Sequence, residues 1–345
     1  MLEMVQRILI IRLGSLGDIL LTTPILRLLR DHCPAARIDF LLKAPYQDLL
    51  RAHPCVDRLH LFQANQSLGT TLRTLRQTRY DLVLDLHRTW RSFFLYRGVS
   101  ARCRLAYGKR TLRRALLAHL HWNTLRPMTS VPELYAAPLR RMGITAPVPA
   151  MEMHLEAESL RTIQRLLVRT FPAGVARPLL AIAPGARWPT KRWPVERFAH
   201  VAQELARQHH AAVVILGDEH DVPLVGELRR QLSVPTLDCV GHLTLMHTAA
   251  LLQRCRLLLC NDSGLMHMAT ALQVPVVAIF GPTVQEFGFY PFRGRAQIVS
   301  HTLRCRPCST KGSRRCPRGH HHCMQRLSGA QVLTAAEQMW EGVPE

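Results

Sequence analysis

The sequence predicts an α/β fold made of two domains, each built on a parallel sheet. Three features carry the prediction. A chain of 345 residues that is 48% hydrophobic is long enough to bury two cores. Its apolar runs are short and continuous, the pattern of strands covered by helices on both faces. Between them Pro147, Pro149, Pro172 and Pro178 punctuate one stretch, which reads as a domain break.

In the first half the strand-like runs are residues 8–13, 38–42 and 81–86. In the second half they are 179–183, 212–216, 257–260 and 276–280. Amphipathic stretches separate them, so the rhythm is strand then helix throughout. The expected organisation is an N-terminal domain over 1–150 and a linker over 151–177, with a helix near 156–170. A C-terminal domain follows over 178–327, and a last helix over 328–345. Ser328 is placed to cap that last helix, whose apolar stripe of Val332, Leu333, Ala336, Met339 and Trp340 must dock on a neighbour, with the first domain as one option.

The longest apolar runs fall well short of the roughly 20 residues that cross a bilayer. Residues 8–11 follow Arg7 in the manner of a signal peptide's start, but Arg12 and Asp18 interrupt the run and no small-residue cleavage site follows. The expected location is therefore the cytoplasm. With 45 Lys and Arg against 24 Asp and Glu, the formal charge is +21, which favours an anionic partner. The cations are scattered and form no recognisable nucleic-acid module, so the expectation is no nucleic acid. An anionic membrane surface or a phosphorylated substrate remains, beside a generally basic surface with no specific partner.

Ligands of open parallel sheets lie beyond the carboxyl ends of strands. Four loops there hold reactive residue types. The first, Arg12-Leu13-Gly14-Ser15-Leu16-Gly17-Asp18, has two glycines for close backbone approach, but neither dinucleotide spacing nor a Walker lysine. Asp18 stands where a helix begins, so it either caps that helix or accepts a proton as a general base.

The second loop, residues 184–194, interleaves Arg187, Lys191 and Arg192 with two Trp-Pro pairs and suits a leaving diphosphate, or is a solvated basic turn. The third, Gly217-Asp218-Glu219-His220-Asp221, offers acids for ribose hydroxyls or for capping. The fourth runs from a strand through Asn261-Asp262-Ser263-Gly264 into a helix, so its amides form an anion site. His267 faces either the ligand or the interior.

The motifs RLGSLGDILLTTP at 12–24, PGARWPTKRWP at 184–194, GDEHD at 217–221, NDSGLMHMATAL at 261–272 and FGPT at 280–283 together resemble the family 9 glycosyltransferases. These are bacterial heptosyltransferases of lipopolysaccharide core assembly. The resemblance covers nearly the whole chain. It implies the GT-B architecture, two Rossmann-like domains with parallel sheets facing a central cleft, and inversion at the anomeric carbon. It implies an ADP-heptose donor and an anionic inner-core acceptor, Kdo or heptose-Kdo, met at the inner membrane surface.

By the same resemblance Asp18 is the base and Lys191 the phosphate contact. Arg187, Asp221, Asp262, Ser263, Gly264 and His267 bind the donor, and Arg12, Ser15, Leu16 and Gly17 the acceptor. The GARWPTKRWP form resembles enzymes adding the second heptose. A heptosyltransferase acting on a protein acceptor would share every donor motif, and a GT-B nucleotide-sugar epimerase would share the fold.

Transfer itself is expected to need no cofactor. Cys305, Cys308, Cys316 and Cys323, with His320, His321 and His322 beside the last, have ligand types and spacing suited to a structural zinc site, and the resemblance to protein-modifying heptosyltransferases with an iron-binding four-cysteine motif implies iron as the other candidate. Reduced thiols or disulfides are the alternatives. The six other cysteines are isolated and read as buried apolar residues.

Overall fold

The computed structural model describes residues 5–171 and 177–342. Residues 172–176 of the expected linker, and the expected domain ends at 1–4 and 343–345, lie outside the described residues. The chain divides into two compact units, Met1–Arg110 with Thr129–His154, and Thr111–Met128 with Leu155–Glu345.

The sheet of the first unit contains β1 (Arg7–Ile11), β2 (Arg37–Lys43), β3 (Arg58–Phe62), β4 (Tyr80–Asp85) and β5 (Ala101–Ala106), in the order β3-β2-β1-β4-β5. All neighbours run parallel. Leu9, Ile11, Leu41 and Val83 project from three adjacent strands into one core, where Leu95 and Val99 from the helix Trp90–Gly98 meet them. The strand order reverses between β1 and β4, with Ile11 opposite Asp85. Such a reversal opens a crevice at the carboxyl ends, because the connections leave toward opposite faces. The loops after β1 and β4 share that edge.

The second unit repeats the plan. It contains β6 (Leu179–Ala183), β7 (Ala212–Ile215), β8 (Thr236–Asp238), β9 (Leu257–Asn261), β10 (Val276–Phe280) and β11 (Ala296–Ser300), in the order β11-β10-β9-β6-β7-β8. All of these pairs are parallel too. The reversal falls between β6 and β9, where Ala183 lies opposite Cys260. Every residue of β6, β9 and β10 is buried, which is why each reads as an unbroken apolar run.

The last helix, Gly329–Glu341, is capped by Ser328, whose hydroxyl accepts from Gln331 N–H at 3.3 Å. Its stripe docks within the second unit, covering the helix Val195–Gln208 and strands β9 to β11. Val332, Ala336 and Trp340 are buried there, and the Trp340 ring stacks on His209 at 4.9 Å. The helix Ala157–Thr170 also belongs to this unit and packs on the helix Leu245–Gln253. No helix among the described residues is long and apolar enough to cross a membrane.

Candidate active site

In the first unit, the chain leaves β1 through Arg12 and turns at Gly14 into the five-residue helix Leu16–Leu20. Ser15 is the N-cap, and Asp18 is the third residue of the helix, not its cap. The carboxylate reaches back, so that Asp18 Oδ2 accepts from the Ser15 N–H at 3.1 Å and from its hydroxyl at 3.0 Å. Arg12 Nη2 lies 2.7 Å from Asp18 Oδ1. Burial alone would push the carboxyl up, but the Arg12 charge and the Ser15 bonds outweigh it and hold Asp18 below the usual carboxylate range.

Arg12 is itself buried. Its Nε donates to Gly14 O at 3.0 Å, its Nη1 to Leu86 O, and its guanidinium lies 5.7 Å from the Tyr135 ring centre. Its donors thus tie the β1 loop to the β4 loop and fix Asp18. Ser15 is exposed, Leu16 half-buried and Gly17 buried, so of the expected acceptor residues Ser15 is the most accessible.

In the second unit, the corresponding edge is the end of β6 and β9. Asn261 is fully buried, accepts from Trp193 N–H at 3.1 Å and donates to Pro184 O at 2.7 Å, which pins the loop 184–194 against the end of β9. Lys191, the last residue of the turn Pro189–Lys191, places Nζ 2.6 Å from Asp262 Oδ2. The same oxygen accepts from Thr283 Oγ1 at 2.7 Å. Ser263 is the N-cap of the helix Gly264–Ala271, yet its hydroxyl makes no cap hydrogen bond and Oγ is buried without a partner among the described residues. The first amides of that helix have no acceptor within it, so this end presents donors and partial positive charge. His267 is buried on the same helix.

Asp221 closes this edge from the β7 side. Its Oδ1 lies 3.8 Å from Arg192 Nη2, and burial together with nearby Asp218 pushes its carboxyl up. A Cβ at Gly185 would fall 2.1 Å from Asp221 Oδ2, so only glycine leaves room for this carboxylate. Arg187 is exposed and its guanidinium lies 5.6 Å from the Trp188 ring centre.

The four cysteines of the 305–323 segment come within electrostatic range of one another, Cys323 with each of the other three. Among the described residues, the one group of three or more potential ligands with atoms within 4.8 Å of each other is His53, Cys55 and Glu152. Cys323 turns into the core, and the half-buried Arg306 guanidinium stands within electrostatic range of Cys305, Cys308 and Cys323. Burial pushes the Cys323 thiol up to about 11, keeping it a neutral thiol.

The segment also grips the lysine loop. Thr190 Oγ1 donates to Ser313 O at 2.9 Å, and His321 Nε2 lies 2.8 Å from Thr190 O. The His53 group is matched internally. Cys55 N–H donates to His53 Nδ1 at 3.2 Å, which leaves the proton of the neutral ring on Nε2, facing Glu152. Arg27 already holds both Glu152 oxygens, at 3.1 and 3.0 Å.

Two residues with a place at these edges escaped the sequence reading. His87 follows β4. Burial first, then the Arg12 charge, push its ring down to about 4, and Nδ1 is buried without a partner among the described residues. Its position just after a strand was the available signal. Thr283 belongs to the FGPT motif, but nothing in that motif says that its hydroxyl bonds Asp262.

The glycosyltransferase family 9 (heptosyltransferase) profile matches residues 69–317. Lipopolysaccharide heptosyltransferase 3 of Escherichia coli strain K12 is 29% identical over 293 residues, covering 79% of this chain and 81% of that protein. Lipopolysaccharide heptosyltransferase 2 of Salmonella typhimurium is 28% identical over 311 residues, covering 85% and 88%. A solved family 9 glycosyl transferase from Veillonella parvula is similar at a TM-score of 0.83 and 25% identity, over 99% of each chain. Each of the two units has the Rossmann-like parallel sheet of the GT-B class. With a family profile spanning most of its length, the chain is a glycosyltransferase and belongs to family 9, the heptosyltransferases.

Proposed function

We propose that the protein moves L-glycero-D-manno-heptose from ADP-heptose to the Kdo or heptose-Kdo inner core of lipopolysaccharide, with inversion, at the cytoplasmic face of the inner membrane. The observation that carries this reading is the turn Asn261 to Gly264. There Lys191, an open helix end and the unpartnered Ser263 hydroxyl stand together at the strand-order reversal. That is a diphosphate site built from the chain's own charges. Arg187, Asp221 and His267 complete the donor-binding set in this reading. Ser15, Leu16 and Gly17 form the acceptor loop, and Arg12 acts on the acceptor through Asp18.

The reaction is one displacement. The acceptor hydroxyl oxygen bonds to the anomeric carbon as the bond from that carbon to the diphosphate oxygen breaks. The hydroxyl proton passes to Asp18, and the electron pair leaves with ADP toward Lys191 and the Gly264 amide. Asp18 is a weak base because Arg12 stabilises its charge. It need only take a proton that has become acidic, and a hydroxyl bonding to an oxocarbenium-like carbon is strongly acidified. The GARWPTKRWP loop favours heptose-Kdo over Kdo.

The test is heptose transfer from ADP-heptose to defined Kdo and heptose-Kdo acceptors, by the native protein and by Asp18→Asn. We expect transfer to heptose-Kdo by the native protein and its loss in the variant. Transfer to neither acceptor would refute the reading, and a folded variant with near-native turnover would remove Asp18 from its role.

A further inference from the structure

The helix Trp90–Gly98 carries an apolar face that nothing in its unit covers. Ser92 and Leu95 are fully buried against the first sheet, as the core-facing side of a surface helix should be. The opposite side holds Trp90, Phe93, Phe94 and Arg97, at i, i+3, i+4 and i+7. Trp90 is 61% exposed, Phe93 49% and Phe94 59%. They form one patch, since Phe94 meets both Trp90 and Phe93 edge-on with ring centres 6.2 Å apart.

The orientation is imposed by the fold. Ser92 Oγ donates to Asp85 Oδ2 at 3.1 Å, and Thr89 caps the helix. Rotating the rings inward would break both.

Charge says what covers this face. Between residues 86 and 110 there are seven Lys and Arg and no Asp or Glu. Arg88, Arg91 and Arg97 are exposed beside the rings, and Arg73 and Arg76 on the adjoining helix Leu68–Arg76 extend the basic field. Aromatic side chains flanked by guanidinium groups on an in-plane helix are the chemistry of an interfacial anchor for anionic lipid. A second copy of this chain would bring the same unopposed positive charge to the contact, which disfavours self-association.

We infer that the Trp90, Phe93 and Phe94 face, with Arg88, Arg91 and Arg97, docks the first unit on an anionic lipid bilayer. The inference rests on the proposed function and adds where the bilayer lies. The helix starts five residues beyond β4, whose Asp85 pairs with Ile11 of β1, and Arg12 ties the β4 loop to Asp18. Docking therefore holds the Asp18 loop at the surface from which a lipid-anchored acceptor protrudes.

The experiment uses the full chain, Trp90→Ser/Phe93→Ser/Phe94→Ser and Arg91→Gln/Arg97→Gln. Binding is measured by flotation with phosphatidylglycerol–phosphatidylcholine vesicles and with phosphatidylcholine alone. Transfer is measured on a deacylated soluble acceptor and on the intact acceptor in vesicles. Native protein should float with the anionic vesicles only. The aromatic variant should lose at least roughly tenfold in binding and in vesicle transfer. The arginine variant should lose roughly thirtyfold in binding.

Both variants should keep native soluble-acceptor transfer and thermal stability, because these side chains are exposed. Flotation of the aromatic variant like the native protein, or equal native binding to neutral vesicles, overturns the inference. So does an aromatic variant that changes oligomeric state by light scattering, or that loses binding to a short DNA duplex as steeply as to vesicles. Absence of native transfer to the soluble acceptor would instead sink the proposed function, while flotation would still report on the surface.

Discussion

Arg12 Nη2 and Asp18 Oδ1 sit 2.7 Å apart, with the guanidinium side chain 8% exposed and the carboxylate 21%. The arginine is sealed beneath while the carboxylate keeps a side open to a reactant. The pairing holds the carboxyl below the usual carboxylate range and so favours its ionised form. Asp18→Asn should reduce turnover by about 10²–10⁴-fold, the usual weight of a general base. Steady-state rates, with circular dichroism to verify folding, decide this.

Arg12→Gln tests the pair from the other side. Without the guanidinium, burial pushes the Asp18 carboxyl up, so protonation begins at higher pH. The acidic limb of the kcat/KM profile should move to higher pH than in the native enzyme. An unmoved limb would separate the two residues functionally.

Lys191 is bound to Asp262 at 2.6 Å, and Asp262 in turn to Thr283 at 2.7 Å, so the ammonium is oriented before any anion arrives. Lys191→Met should cost about 10²–10³ in kcat, because charge on the diphosphate grows as the sugar leaves. ADP affinity by calorimetry should fall less than kcat. An equal fall in both would make the lysine a simple binding contact.

Gly185→Ala would set a methyl 2.1 Å from the Asp221 carboxylate. The carboxylate has to move, and overpacking of this kind costs about 1–3 kcal/mol. Thermal denaturation should register that loss, and donor KM should rise while the Asp18 loop is undisturbed. Pairing the change with Asp221→Ser, which clears the space, should restore stability but not donor affinity.

His53 and His87 are both pushed from 6.5 to about 4, mainly by burial. The unfolded chain therefore binds more protons than the folded one between those values. Stability is fully present above pH 6.5 and declines as pH falls toward 4. For the sealed His53 ring the loss between pH 7 and pH 5 is about 2 kcal/mol. Urea unfolding at those two pH values measures it, and His53→Gln should flatten the dependence.

The interior of the fold was legible and its margins were not. Strands β1, β2, β4, β6, β7, β9 and β10 are read directly from apolar runs, because both their faces are covered. The four strands without such runs are β3, β5, β8 and β11, and they are the four sheet edges. Their burial is partial, so sequences such as Arg58–Phe62 and Ala296–Ser300 mix polar and apolar residues.

At the sites, spacing marked the loops that hold Asp18, Lys191 and Asp262, since chemistry follows strand ends. It did not reveal that Asp18 lies within the helix, that Arg12 lies beneath it, or that Asn261 joins two loops. The bonds of Asn261 to Trp193 and Pro184 span 68 and 77 positions, and the Arg12–Asp18 pair is set by the turn between them, neither of which the residue spacing displays. The spacing of Cys305, Cys308, Cys316 and Cys323 did mark thiols that lie near one another, with Cys323 packed into the core beside them.

The lysine loop is held by partners that come late. Thr190 bonds Ser313 and His321, which lie 123 and 131 positions further along, and Trp193 Nε1 bonds Leu327, 134 positions on. On the ribosome, the second sheet can begin to assemble while that loop still lacks its clamps. The second unit is thus finished only when its late segments have emerged, and a nascent fragment ending before residue 313 would carry all six strands but not the clamps that set its lysine loop.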